Sequence, residues 1–184
     1  MSGSYVYLYT FASKEIKNFE DVVRSPYEKE KRLLLGFIPY KTEVNLLERF
    51  IKNYCLSIPG YQDEAKIDNF ELIWFLLFIK EKIELDLFSD SYCQISNDPI
   101  TKDGSGIIYA VFNNQQSKKL LNKIEEIVFK KDEVKNFFDE KFHYTFSFEM
   151  FDVMLLVQKT LKNFFSNINK NSAGLILAYI PNHP

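Results

Sequence analysis

Histidine is nearly missing from this chain, with only His143 and His183 among 184 residues. A metal site built on imidazoles wants ligands in pairs at defined spacing, and neither histidine has such a neighbour. Nucleophilic catalysis wants a Ser or Cys beside an oriented base; only His143 stands where it would serve, and no nucleophile-elbow turn occurs. The expectation is therefore no catalytic residue, no metal and no cofactor. Cysteine is as scarce. Cys55 and Cys93 lie far apart, and Met1-Ser2-Gly3-Ser4 lacks the basic and apolar regions of an export leader. That combination points to reduced thiols and a cytoplasmic protein.

Glycine and proline number six each, and no stretch rich in them divides the chain, so one domain over 1–184 is expected. The longest apolar run, Leu72–Ile79 (LIWFLLFI), falls far short of the ~20 residues of a membrane span. Glu71 and Lys80 flank it, and it reads as a buried core helix. The net charge of −2 gives no bulk attraction to nucleic acid.

Apolar residues, by contrast, are plentiful at 46%, enough to exclude a disordered tail protein. The 18 phenylalanines are expected in the core, their number a product of A/T-rich codon usage more than of a dedicated aromatic surface. The sequence then divides into elements. Tyr5–Tyr9 alternates aromatic and β-branched residues and predicts a strand. Ser13 is expected to cap a helix running to Val23, with Ile16, Phe19 and Val23 on one face. Tyr27–Phe37 reads as a short charged helix ending at Gly36, with Ile38-Pro39-Tyr40 as a connector. Thr42 is expected to cap a helix over Glu43–Tyr54, and Asp68 one over Asn69–Glu81.

The last seventy residues are the clearest. A strand (Ile107–Phe112), helices (Gln115–Phe129, Glu133–Lys141, Phe146–Ile168) and a closing strand (Leu175–Ile180) are predicted in that order. Strands bracketing helices imply an α+β single domain, a small antiparallel or mixed sheet packed against several helices.

Charge is uneven along the chain. Residues 61–100 carry nine acids against Lys66, Lys80 and Lys82, a local balance of −6. Within and just after this stretch Asp86, Asp90, Asp98 and Asp103 alternate with Phe88 and Tyr92. Acids around aromatics suit a docking surface, with the acids steering a basic protein partner and the rings anchoring it. The leading reading is therefore a non-enzymatic bacterial binding protein, of immunity or antitoxin type, that occludes its partner. The alternative is an enzyme or small-molecule binder with a site around His143, Glu149 and Asp152, the two acids lying one helical turn apart. A homodimer is a third reading.

Ile107–Phe112, the helix with Leu120, Leu121 and Ile124, the run Leu161-Lys162-Asn163-Phe164-Phe165 and the run Gly174–Tyr179 together resemble the YfbM-like family of bacterial domains. In that family a helix ending Leu-x-x-Phe-aromatic precedes a glycine and a final apolar strand. The resemblance implies a single-domain α+β fold and no established activity. The family's Asp-Lys-x-Trp-His run has no counterpart here. Asp68 is followed by Asn69, Phe70, Glu71 and Leu72, Trp74 is displaced, and no histidine is present, so no site residues carry over.

Overall fold

The computed structural model describes residues 5–25, 27–34, 38–58, 67–87, 106–142 and 148–180. The fold is α+β. Its sheet is built on β1 (Tyr5–Ala12), the first strand of the chain, and β7 (Ser172–Ile180), the last. These two pair antiparallel from Val6↔Ala178 to Ala12↔Ser172. On the far side of β7 lies β6 (Gly106–Phe112), also antiparallel. The other side of β1 is shared by β4 (Cys55–Ser57) and β5 (Ile67–Asp68). The sheet order is β4-β1-β7-β6, with β5 also on β1. The sheet is antiparallel, not mixed.

Side chains on a strand alternate between faces, so each strand serves two cores. Val6 and Leu8 of β1, Ala110 and Phe112 of β6 and Ile176 of β7 face one way. Over them lie α3 (Asn69–Ile83), α4 (Asn114–Glu125), α5 (Lys131–Phe142) and α6 (Phe148–Ser166). Phe11, Val111, Ala173, Leu175 and Leu177 face the other way. There α1 (Ile16–Arg24) contributes Phe19, and α2 (Leu46–Tyr54) contributes Leu47 and Phe50. An antiparallel sheet commonly leaves one face wet. Here helices cover both, which is why β1, β6 and β7 are apolar at consecutive positions.

Phenylalanine fills the larger core. Phe112 meets the rings of Phe164 and Phe165 of α6, edge-on, at 6.2 and 5.2 Å between centroids. Phe78 of α3 meets Phe129 at 5.4 Å and Phe137 of α5 at 5.2 Å. Each buried ring of this size contributes about 2–3 kcal/mol by removal from water. The apolar run LIWFLLFI is indeed a core helix, with Leu72, Phe75, Phe78 and Ile79 buried. Its outer side is not sealed, for Leu77 is exposed.

Several local expectations are corrected. Tyr27–Phe37 is not a helix. Tyr27–Leu34 is a strand, β2, paired residue for residue with β3 (Ile38–Asn45), from Tyr27↔Asn45 to Leu34↔Ile38. Glu, Lys, Arg and Leu have high helix propensity, but this segment has no apolar helical face to bury, and cross-strand pairing with the segment that follows it prevails. Ile38-Pro39-Tyr40 is thus strand, with Pro39 tolerated because a two-stranded ribbon is all edge. Thr42 lies within β3, and the helix cap is Asn45, whose Oδ1 accepts the N–H groups of Leu47 (3.0 Å) and Glu48 (3.1 Å). Ser13 makes no side-chain cap. It opens a 3₁₀ turn (Ser13–Glu15), and its N–H donates to the Asn171 carbonyl at 2.9 Å.

The helix expected over Gln115–Phe129 stops at Glu125. Its start is a reciprocal cap: Asn113 Oδ1 accepts the Gln116 N–H at 2.9 Å, and Gln116 Oε1 accepts the Asn113 N–H at 3.0 Å. Its end is held from another helix. Gln158 of α6, almost fully buried, donates its amide to the carbonyls of Ile124 (2.8 Å) and Ile127 (2.9 Å). Carbonyls at a helix C-terminus have no partner inside their own helix, and here a tertiary side chain supplies one. With the helix stopped there, Ile127 and Phe129 turn inward and Val128 outward.

Two substitutions probe this packing. Gly174 lies where a Cβ would sit 2.3 Å from Ile168 Cδ1 and 2.6 Å from Phe164 Cζ. Gly174→Ala is expected to destabilise by about 1–3 kcal/mol in urea unfolding, with part of the loss recovered by adding Ile168→Val. Gln158→Leu removes both bonds, taking this partner from the Ile127 carbonyl and leaving the Ile124 carbonyl the Ile127 N–H at 3.3 Å, and is expected to cost about 1–3 kcal/mol. An unchanged urea midpoint would show that water replaces the amide without penalty.

Candidate functional site

The sequence placed the docking surface on the acidic stretch after α3. α3 ends at Ile83, and Glu84 turns the chain with φ of 53°, a left-handed conformation that non-glycine residues seldom adopt. The Leu85 N–H then reaches back to the Ile79 carbonyl at 3.3 Å. This turn buries Leu85 and Leu87 in the larger core and leaves Asp86 between them on the surface. The Asp86 carboxylate accepts from Lys80 Nζ at 2.8 Å, so much of its charge is answered within the chain. Phe88, Asp90, Tyr92, Asp98 and Asp103 lie outside the described residues.

Of the alternative cluster, Asp152 is exposed on α6. Glu149 lies in the same helix with its side chain outside the described residues, as is His143 altogether. Among the described residues no group of three His, Cys, Asp or Glu side chains is arranged to hold a metal ion. No described helix is long and apolar enough to cross a membrane.

The buried polar side chains of Gln158 and Ser117 serve the fold. Gln158 caps α4, and Ser117 Oγ donates to the Asn113 carbonyl at 2.7 Å. Cys55 is half-buried on β4 against Phe11 of β1, packed on the smaller core. Burial pushes its thiol up to about 12, which suppresses the thiolate that nucleophilic chemistry requires.

The described surface presents large apolar side chains on the helical layer, at Leu77, Ile83, Val128, Leu155 and Leu156, and also at one end of the sheet. β4 is a terminal strand. Cys55 faces the smaller core, and Leu56, directed to the opposite face, is 71% exposed. Its neighbour across the pair is Thr10, one step past the Val6 and Leu8 positions that the larger core covers. Tyr54, the last residue of α2, is 44% exposed. Tyr27, opposite Asn45 at the other end of α2, is 38% exposed. The nine residues of α2 span about 13 Å, so Tyr27 and Tyr54 flank one short helix, while Leu56 stands on the opposite face of the sheet from it. Between them α2 turns out Glu48, Arg49, Lys52 and Asn53. Arg49 ion-pairs with Glu30 of β2 and ties the ribbon to the helix. Apolar anchors with a mixed polar rim are the composition of a protein interface.

Sequence reasoning missed this surface. Tyr54 stands at helical spacing with Phe50, as a core residue would, and its ring touches Phe50 at 5.1 Å between centroids. The overlooked signal was the alternation Tyr54-Cys55-Leu56-Ser57, which sends Leu56 away from the face that Cys55 packs on. No family model, curated protein or solved structure matches the chain, so function rests on this geometry.

The Cys55 environment sets a pH dependence. An unfolded chain ionises this thiol near its ordinary value of 9.0, while the folded chain holds the proton up to about 12. Between those values the unfolded state binds fewer protons, so Cys55 lowers folding stability as pH rises. The advantage of wild type over Cys55→Ala in urea unfolding is expected to shrink steadily across that window. A difference independent of pH would show that the thiol ionises freely in the folded state.

Proposed function

We propose that this protein works by binding and occluding another protein in the bacterial cytoplasm, in the manner of an immunity or antitoxin-type protein. The observation that carries the reading is the exposure of Leu56 on β4 at the end of the sheet, with Tyr54 exposed on the other face at the end of α2. A large aliphatic side chain left 71% exposed on a strand gives up burial free energy of about 1.5–3 kcal/mol that a partner surface can recover. The occupied or suppressed chemistry of Gln158, Ser117 and Cys55 favours binding over turnover. The local balance of −6 over residues 61–100 favours a basic partner, steered at long range by Asp86, Asp90, Asp98 and Asp103.

The test is affinity capture from the source cell, followed by titration of whatever protein is recovered in stoichiometric amount. Leu56→Arg and Tyr54→Ala are expected to weaken that complex at least about tenfold by raising the dissociation rate. Charge reversal at the four acids is expected to slow association at low salt and to have little effect at high salt. Recovery of no stoichiometric protein, or a complex indifferent to Leu56→Arg, overturns the reading.

A further inference from the structure

We propose that the outer face of α6 is an interface on which a second copy of this chain packs its own α6, antiparallel, about a two-fold axis between Leu155 and Leu156. One side of α6 sends Met154, Val157, Leu161, Phe164 and Phe165 into the larger core. The opposite side carries Asp152, Leu155, Leu156, Lys159 and Asn163, all exposed and all within one stripe of the helix. The outer face of a surface helix is ordinarily charged and polar throughout. This one holds a leucine pair at its middle.

A third apolar group stands beside the pair. Gln158 donates to the carbonyls of Ile124 and Ile127, and Lys131 Nζ lies 5.5 Å over the ring of Phe151. The segment between Ile127 and Lys131 therefore runs along α6 from Gln158 back to Phe151. That course brings Val128, 77% exposed, alongside Leu155.

The flanking charges select the occupant. Asp152 lies one helical turn before the leucines and Lys159 one turn after them. Neither has an ion pair or hydrogen bond among the described residues. A helix that complements this stripe brings leucine to leucine, a cation to Asp152 and an acid to Lys159. The same stripe reversed does all three. With two copies antiparallel about the leucine pair, Asp152 of each stands opposite Lys159 of the other, and both leucine pairs meet between these two ion pairs. Opposite charges at both ends fix the register, and a two-fold contact of this kind is closed. One stripe of one helix falls short of the roughly 800 Å² per partner of a standard stable interface, so the dimer is expected to form in the micromolar range.

Sedimentation velocity of the full chain at low salt, across a micromolar concentration series, tests this with wild type, Asp152→Lys, Lys159→Asp and the double exchange. Both positions are exposed, so the exchanges leave the core intact. The expected result is a monomer–dimer equilibrium in wild type that weakens at least about tenfold in each single variant, where like charges face each other twice. The double exchange restores the dimer. So does mixing the two single variants, whose faces complement each other. A wild-type monomer throughout overturns the proposal. So does a dimer that both single reversals leave unchanged, or one that they break and that neither the double exchange nor the mixture restores. Each of these outcomes leaves the partner-binding reading of Leu56 standing, since that residue lies on β4 and no variant here alters it.

Discussion

The antiparallel pairing of β1 with β7 holds this fold together. It joins the first described residues to the last, and neither strand is on the rim. Among the described residues β6 reaches the sheet only through β7, and β4 and β5 only through β1. Both cores are laid on these strands: Leu8 and Ile176 on one face, Phe11 and Leu175 on the other. The cost is the entropy of closing a loop nearly as long as the chain. That cost grows only slowly with length, and the two cores offset it. Close fit enforces the arrangement, because Gly174 of β7 lies so near Phe164 and Ile168 that no side chain fits between them.

Much of this was legible in the sequence wherever periodicity and burial agreed. Tyr5-Val6-Tyr7-Leu8-Tyr9 alternates, and the structure sends Val6 and Leu8 to one core and Tyr7 and Tyr9 to the other. The long closing helix and the strands on either side of the helical unit fell where apolar spacing put them. The phenylalanines with described burial are largely core, as their number led one to expect. Legibility failed where a partner outside the segment decided the outcome. Glu-Lys-Glu-Lys-Arg-Leu-Leu is helical by propensity, and only β3 across from it makes it a strand. The end of α4 was not visible because its cap, Gln158, lies on a different helix more than thirty residues away.

The candidate surface was less legible than the fold, for a related reason. Exposure is a property of the sheet's boundary, and sequence does not say which strand is terminal. Leu56 is an ordinary leucine in a short apolar segment, and only the placing of β4 at the end of the sheet leaves it in water. Asp86 shows the converse. In the sequence it is one acid among several in an acidic stretch, and in the structure Lys80, one and a half turns back, already holds it. The protein thus has a densely packed interior in which the Gln158 and Ser117 bonds are structural, and a leucine left exposed at the β4 end of its sheet.

Native-state hydrogen exchange on the β1–β7 pair tests this account most directly. If the pairing organises both cores, the amides of Leu8 and Ile176 exchange only through global unfolding, with the same free energy and the same denaturant dependence as the most protected amides of α6. Exchange of β7 through a partial opening that leaves α4, α5 and α6 protected would contradict it, and would mean that the helical layer folds without the sheet.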